Sequence, residues 1–136
     1  MKTITIDLKM YGNLIVLEPE LWKINSGGFG DFTAFIDTGA SRTTIDKEVL
    51  HRAGYDVESG KKTMVTTAGG LSLVNEIVIE KLRIEDLVLE NLKVYAHTFP
   101  SELFISGLIG LDILSQFDVN FLFSKDLIEF TEIVGG

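Results

Sequence analysis

Short stretches in which apolar and polar residues alternate with a period of two constrain the fold of this chain most strongly. Thr3–Leu8 alternates in this way and is rich in β-branched side chains, which is typical of an extended strand. The extended pattern returns at Leu14–Leu17, after the turn-forming residues Tyr11-Gly12-Asn13. We interpret the two stretches as an N-terminal hairpin that ends at Pro19. Other predicted strands cover residues 32–36, 76–82, 87–89 and 92–97.

Two further hairpins and two short helices complete the pattern. One hairpin joins Lys62–Thr67 to Leu71–Val74, and the other joins Phe117–Phe123 to Leu127–Thr131. The helices are predicted at residues 46–53, with Asp46 as N-cap and Gly54 after the end, and at residues 111–116. The fold class is therefore all-β with one or two short helices.

Length and composition set the class of protein. The 136 residues are enough for one domain, which we place at residues 1–136, with the hairpin of about residues 1–30 as an N-terminal extension. A net charge of −8 makes nucleic acid an improbable partner, because an acidic surface repels phosphate. The absence of cysteine excludes disulfides, thiolate nucleophiles and sulfur-ligated metals. With no apolar run long enough for a bilayer, we expect a soluble, cytoplasmic protein without a membrane partner.

Asp37-Thr38-Gly39 is the first candidate for chemistry. The predicted strand Phe32–Ile36 runs directly into Asp37, and Gly39 permits a sharp turn after it. Such a carboxylate can serve as a general acid or base. It can equally cap its own loop as an Asx-turn, which is the ordinary reading of a short Asp-Thr-Gly segment.

Two downstream features favour the catalytic reading. A glycine-containing hairpin tip, Thr66-Thr67-Ala68-Gly69-Gly70, follows the triplet, and Leu108-Ile109-Gly110 precedes the second short helix. With these motifs the sequence resembles the retropepsin-like aspartic proteases, a family that includes the retroviral proteases and the protease-like domains of the DNA-damage-inducible proteins. The resemblance runs from about Thr33 to Thr131 and implies a closed, pepsin-like or retropepsin-like β-barrel that acts as a homodimer.

The resemblance also implies roles for individual residues. Asp37 would be the catalytic carboxylate, Thr38 would bond across the dimer axis, and Gly39 would let the substrate backbone approach. The 64–73 hairpin would be a flap over an extended peptide substrate. The residues implied to bind substrate or to form the flap are Ala40, Thr66, Thr67, Ala68, Gly69, Gly70, Leu71, Leu108 and Ile109. We also expect Ile105 near the apolar side-chain pockets.

The loops around the triplet depart from the retroviral pattern. Retroviral enzymes usually carry an acidic residue where this chain has Ser41, and an arginine where it has Leu111. We expect Gly110 to support the site, and we expect a bond from Ser41 or Arg42 to Asp112 to tie the loop to the following helix. Asp112 as a helix N-cap is the alternative. The hydroxyl that pepsin-like enzymes often carry after the glycine is replaced by Ala40, which favours activity at mildly acidic to neutral pH.

Competing sites are weaker, and one competing function remains. His51 and His97 have no acidic partners at metal-ligand spacing, so we expect neither a metal nor a cofactor. The leading prediction is an aspartic endopeptidase that places one Asp37 from each subunit at a shared site. The alternative is a non-catalytic or inactive-dimer module that binds peptides or serves assembly on the same fold.

Overall fold

The structure, a computed structural model, describes residues 2–67 and 70–133, and strands dominate it. The mostly-β class is therefore confirmed. The strands in chain order are β1 (Thr3–Asp7), β2 (Lys9–Tyr11), β3 (Leu14–Leu17), β4 (Glu20–Trp22), β5 (Phe29–Asp31), β6 (Ala34–Ile36), β7 (Thr44–Asp46), β8 (Lys61–Thr67), β9 (Gly70–Ile84), β10 (Leu87–His97), β11 (Gly107–Ile109), β12 (Phe117–Leu122) and β13 (Leu127–Glu132). Two helices, α1 (Lys47–Arg52) and α2 (Leu111–Leu114), and two 3-10 turns, Ser101–Leu103 and Phe123–Lys125, lie between them.

The smaller of two sheets joins the ends of the chain in the order β1-β13-β12. β1 runs antiparallel to β13, with Ile4 opposite Phe130 and Ile6 opposite Ile128. The predicted pairing of residues 3–8 with residues 14–17 is therefore wrong, and β3 instead forms a short hairpin with β2. Alternation defines which side of β1 is apolar but not its partner strand; the fully buried Ile128 and Phe130 of β13 lie beside Ile6 and Ile4 on that side.

The larger sheet is open rather than closed. Its strands follow the order β2-β3-β6-β11-β7-β10-β9-β4-β5, and β8 pairs with β9 beside this path. A barrel needs its first and last strands to bond to each other. In the described residues β2 pairs only with β3, and β5 pairs only with β4, so the predicted closed barrel is wrong. Both terminal strands have just three residues, and all three residues of β2 are exposed.

The centre of the larger sheet positions the loops of interest. β11 runs parallel to β6, with Ile109 opposite Ile36, and antiparallel to β7, with Gly107 opposite Ile45. Ile109 and Ile45 are fully buried in one core cluster that both sheets share. The C-terminal ends of β6 and β11 are thus held side by side by strand pairing and by burial of apolar surface.

The helices are short and locally terminated. The Asp46 carboxylate accepts a hydrogen bond from the Glu48 N–H at 2.8 Å, which confirms the predicted N-cap of α1. Gly54 follows the helix with φ +95°, a conformation that suits glycine. Leu50 anchors α1 in the core with no exposed surface. No helix within residues 2–67 and 70–133 is both long and apolar enough to cross a bilayer.

Candidate active site

Asp37 lies where β6 ends in the middle of the larger sheet. Its backbone N–H donates to the Ile109 carbonyl oxygen at 2.9 Å, which continues the parallel pairing by one residue. The Asp37 side chain is half-buried, whereas Thr38 and Gly39 are exposed. The candidate carboxylate therefore lies at the surface but rests on a backbone that both neighbouring strands hold.

The loop that follows is an Asx-turn. The Gly39 N–H donates to Asp37 Oδ1 at 2.9 Å, and the Ala40 N–H donates to the Asp37 carbonyl at 3.2 Å. Within the described residues the second oxygen, Oδ2, accepts no hydrogen bond, and no cation pairs with Asp37. The turn orients the carboxylate and leaves Oδ2 available to a water molecule or to a second carboxyl group.

The segment around Gly110 supports this loop from below. The Leu111 N–H donates to the Ala40 carbonyl at 2.8 Å, and the Asp112 N–H donates to the Ser41 carbonyl at 3.2 Å. A Cβ added at Gly110 would lie 2.8 Å from the Ala40 oxygen. Glycine is therefore required here by the close approach of the two backbones.

The predicted bond between Ser41 and Asp112 is present only through the backbone, and the side chain that binds the Asp112 carboxylate is that of Thr43 rather than Ser41 or Arg42. The Asp112 carboxylate accepts bonds from the Thr43 N–H at 3.0 Å and from the Thr43 hydroxyl at 2.8 Å. The Arg42 guanidinium instead lies over the Tyr95 ring, 5.3 Å from its centroid. Gly110, not Asp112, is the N-cap of α2.

Sequence reasoning missed Thr43 because nothing in the segment Ser41-Arg42-Thr43-Thr44 marks one hydroxyl as buried. Thr43 has no exposed surface, and its Oγ1 also accepts a bond from the Gly110 N–H at 3.1 Å. The available signal was its position two residues before the apolar Ile45, on the same side of an extended chain, since a buried polar residue needs a partner.

The predicted flap is the β8–β9 hairpin. Thr66 is opposite Leu71, and Thr67 is opposite Gly70, whereas the predicted flap residues Ala68 and Gly69 lie outside the described residues. The apolar side chains on one side of the hairpin are largely exposed: Met64 by 56%, Leu71 by 70% and Leu73 by 51%. This hairpin presents an uncovered apolar surface.

The predicted apolar pocket residues separate by burial. Ile105 and Ile109 are buried, and Ile109 has no exposed surface at all, whereas Leu108 is half-buried. The side chains of Ile105 and Ile109 pack inward in the single chain, and their predicted places at or near the substrate pockets stay predictions. Leu108 is the one residue of Leu108-Ile109-Gly110 whose side chain reaches the surface.

Two surface cavities lie away from Asp37. One, of about 380 Å³, is lined mainly by residues of the β4–β5 region and of α1, including Lys23, Asp31 and Arg52. The other, of about 430 Å³, lies between α1 and residues 98–106. Neither is lined by residues 37–42. Among the described residues, no group of three or more His, Asp or Glu side chains could hold a metal ion.

Comparison with known sequences identifies the family. A sequence model described as aspartyl protease matches residues 22–113, which include Asp37-Thr38-Gly39 and extend into α2. The chain belongs to this aspartyl protease family. No curated protein matches the chain.

Comparison with solved structures identifies the fold. The chain is similar to the crystal structure of a retropepsin-like aspartic protease from Rickettsia conorii, with a TM-score of 0.69 and 20% sequence identity. The match covers 95% of this chain and 91% of the Rickettsia chain. The fold is thus retropepsin-like across nearly the whole length, which agrees with the resemblance seen in the sequence.

Proposed function

We propose that this chain is an aspartic endopeptidase in which two copies each contribute Asp37 to one active site. The observation that carries the proposal is the placement of Asp37. It belongs to the single Asp-Thr-Gly of an aspartyl protease family chain, at the centre of the sheet, with Oδ2 uncommitted within the described residues.

The chemistry of peptide hydrolysis requires a second carboxyl group. One ionised carboxylate removes a proton from the attacking water, and a protonated one donates to the oxygen of the scissile carbonyl. Two carboxyl groups about 3 Å apart share one proton, because both cannot be ionised at that distance. The other carboxylate in this loop system, Asp112, is engaged by Thr43, so it cannot serve as the partner.

A two-fold axis through the site supplies the missing group. In a symmetric dimer each Asp37 faces its own equivalent, as any residue on the axis must. The exposed Thr38 lies beside Asp37 and would meet the Thr38 of the second copy. The cavities described above lie elsewhere on the single chain, which agrees with a cleft that forms between two copies.

The substrate would be an extended peptide held between the active-site loop and the β8–β9 hairpin. Backbone hydrogen bonds to an added strand are independent of the peptide sequence, and side-chain pockets give the selectivity. The exposed Leu71 and the half-buried Leu108 are apolar, which favours apolar side chains near the cleaved bond. Ala40 offers no hydroxyl to stabilise an ionised carboxylate, so we expect activity at mildly acidic to neutral pH.

One observation favours a second candidate function, a peptide-binding module without catalysis. The bond from the Gly39 N–H to Asp37 Oδ1 gives Asp37 a purely structural role in its turn, for which no chemistry is needed. A dimer could then hold extended peptides without cutting them.

Cleavage of an unstructured protein separates the two functions. Casein would be incubated with wild type and with Asp37→Asn between about pH 4 and 7, and both proteins would be sized by gel filtration. We expect the wild-type dimer to cleave casein and a dimeric Asp37→Asn to lose at least about a thousandfold in rate. Binding of peptides by a folded wild-type dimer that cuts none of them would favour the module instead.

A further inference from the structure

We propose that Thr43 is a positioning residue for Asp37, and that Asp112 is the carboxylate that fixes Thr43. This inference rests on the proposed function. It replaces the expected tie through Ser41 or Arg42 with one that passes through the interior of the loop system.

The contacts of Thr43 form a buried relay. Its hydroxyl donates to Asp112 Oδ1 at 2.8 Å and accepts from the Gly110 N–H at 3.1 Å. Its backbone N–H donates to both Asp112 oxygens at 3.0 Å. Thr43 has no exposed surface and Gly110 is buried, whereas Asp112 is half-buried, so water cannot replace the Thr43 hydroxyl as partner of the Gly110 N–H.

Gly110 connects this relay to Asp37. The residue before it, Ile109, accepts the bond from the Asp37 N–H, and the residue after it, Leu111, donates to the Ala40 carbonyl. A displacement of Gly110 would therefore shift one contact on each side of the Asp37-Thr38-Gly39 triplet. The relay holds the backbone under the candidate catalytic carboxylate at two points.

The residue types suit these roles. A hydroxyl can donate and accept at once, whereas an ionised carboxylate only accepts. Valine at position 43 would keep the shape of threonine but would leave the Gly110 N–H without its partner and would remove one of the hydrogen bonds to Asp112 Oδ1. Serine would keep the hydroxyl and lose only a methyl group. The pair Thr43→Val and Thr43→Ser therefore separates the hydrogen bonds from the packing.

The position of a catalytic carboxyl group matters more at a site shared across a two-fold axis than at a site within one chain. Any shift of Asp37 in one subunit is repeated in the other, so the separation of the two carboxyl groups changes by both displacements. A misplacement of about 1 Å in a catalytic group can cost on the order of a hundredfold in rate. Loss of the relay should therefore lower kcat more than it changes KM.

Asp46 offers a matched control. Its carboxylate also binds two backbone N–H groups, those of Glu48 and Phe99, at 2.8 and 2.9 Å. Neither group belongs to residues 37–43 or 109–112. Asp46→Ala should destabilise the protein through a lost helix cap and leave the relay intact.

Kinetics at a temperature well below unfolding give the first test. We expect Thr43→Val to lower kcat by about ten- to a hundredfold with KM changed by less than about threefold. Thr43→Ser should recover most of kcat. Asp46→Ala should lower the Tm yet keep kcat within about threefold of wild type. An unchanged kcat in Thr43→Val, or an equal loss in Asp46→Ala, would overturn the catalytic role.

Amide hydrogen exchange gives a second test that needs no activity. We expect the amides of Gly110 and Leu111 to exchange at least about tenfold faster in Thr43→Val than in wild type, and not in Asp46→Ala. Unchanged exchange would overturn the relay itself. If wild type shows no cleavage that depends on Asp37, the proposed function and the catalytic role fail together, and exchange still decides whether Thr43 holds the loop.

Discussion

The loops at Asp37 and Gly110 contrast sharply with the β8–β9 hairpin. Residues 37–43 and 109–112, which we call the loop pair, are joined by backbone bonds in both directions and by the buried Thr43–Asp112 relay. In the described residues β8 pairs only with β9, and Leu71 near the tip is 70% exposed. One region is fixed by the core of the sheet, and the other projects from it.

This difference matches what a peptidase of the proposed kind needs. Catalytic carboxylates must keep one geometry, whereas a cover must open for the substrate and close over it. Regions with few buried contacts open at a low free-energy cost, and regions inside the core open only with global unfolding. The fixed loop at Asp37 and the exposed hairpin therefore agree with the proposed function.

The largest expected effect comes from adding one methyl group to each region. In Gly110→Ala the new Cβ would lie 2.8 Å from the Ala40 oxygen and 2.9 Å from the Arg42 carbonyl carbon. Because both neighbours are backbone atoms, we expect a loss of about 2–4 kcal/mol in the free energy of unfolding. Urea unfolding followed by circular dichroism measures the loss.

Gly70→Ala is the matched change in the hairpin. Gly70 has φ +112°, but a Cβ there would meet no atom within 4 Å among the described residues beyond its chain neighbours, so only backbone strain of about 1 kcal/mol is expected. The contrast between the loop pair and the hairpin is wrong if Gly70→Ala destabilises the protein as much as Gly110→Ala does.

A polar substitution in the hairpin should affect function with little effect on stability. Leu71 is 70% exposed, so we expect Leu71→Ser to change the free energy of unfolding by less than about 0.5 kcal/mol. If the hairpin covers the substrate, the same change should raise KM several-fold, because an apolar contact to the peptide is lost. Peptide-cleavage kinetics and thermal unfolding are the measurements.

Val78→Ser serves as the control for Leu71→Ser. Val78 is 56% exposed on the same strand, β9, but lies away from the tip. It should leave both KM and stability near their wild-type values. An equal rise in KM for both variants would argue against a specific role of the hairpin.

The smallest expected effect concerns the end of β9 that lies far from the hairpin. Arg83 binds Glu20 with two hydrogen bonds, at 3.0 and 2.8 Å. These bonds hold the pKa of Glu20 below its usual value of 4.5. Because both side chains are about one-third exposed, we expect the pair to contribute little to stability at neutral pH.

The sign of the pH dependence follows from the lowered pKa. Stability from the pair is fully present above the unfolded-state pKa of Glu20 and is lost as the pH falls through the lower folded-state pKa. Wild type should therefore be more stable than Glu20→Gln at pH 7, and the difference should vanish on acidification below pH 4.5. Denaturant unfolding over this pH range measures it, and a difference that grows on acidification would contradict the assignment.

The sequence was sufficient for local structure but not for the pairing of strands that are distant in the chain. Alternation and turn residues located the β8–β9 and β12–β13 hairpins, and Asp46 and Gly54 bounded α1, because these signals act within a few residues. The pairing of β1 with β13 joins residues more than a hundred positions apart, and the open edges of the larger sheet depend on all its strands. Local patterns contain neither kind of information.

The candidate site divides in the same way. Asp-Thr-Gly and Leu108-Ile109-Gly110 could be found as motifs because their residue types and order are specific, and the structure places the two segments side by side. The tie between them could not be found, because a buried threonine and a surface threonine look alike in sequence. Burial depends on the finished packing, and the sequence does not show that Ile109 is fully buried whereas Leu108 reaches the surface.

Mixing active and inactive subunits tests the shared active site most directly. Wild type and Asp37→Asn would be unfolded together, refolded at several ratios with total protein constant, and assayed for peptide cleavage after sizing confirms dimers. If each site needs Asp37 from both chains, an equal mixture should show about one quarter of the all-wild-type activity, because only wild-type pairs work. About one half of that activity, or cleavage by a monomer, would contradict the account.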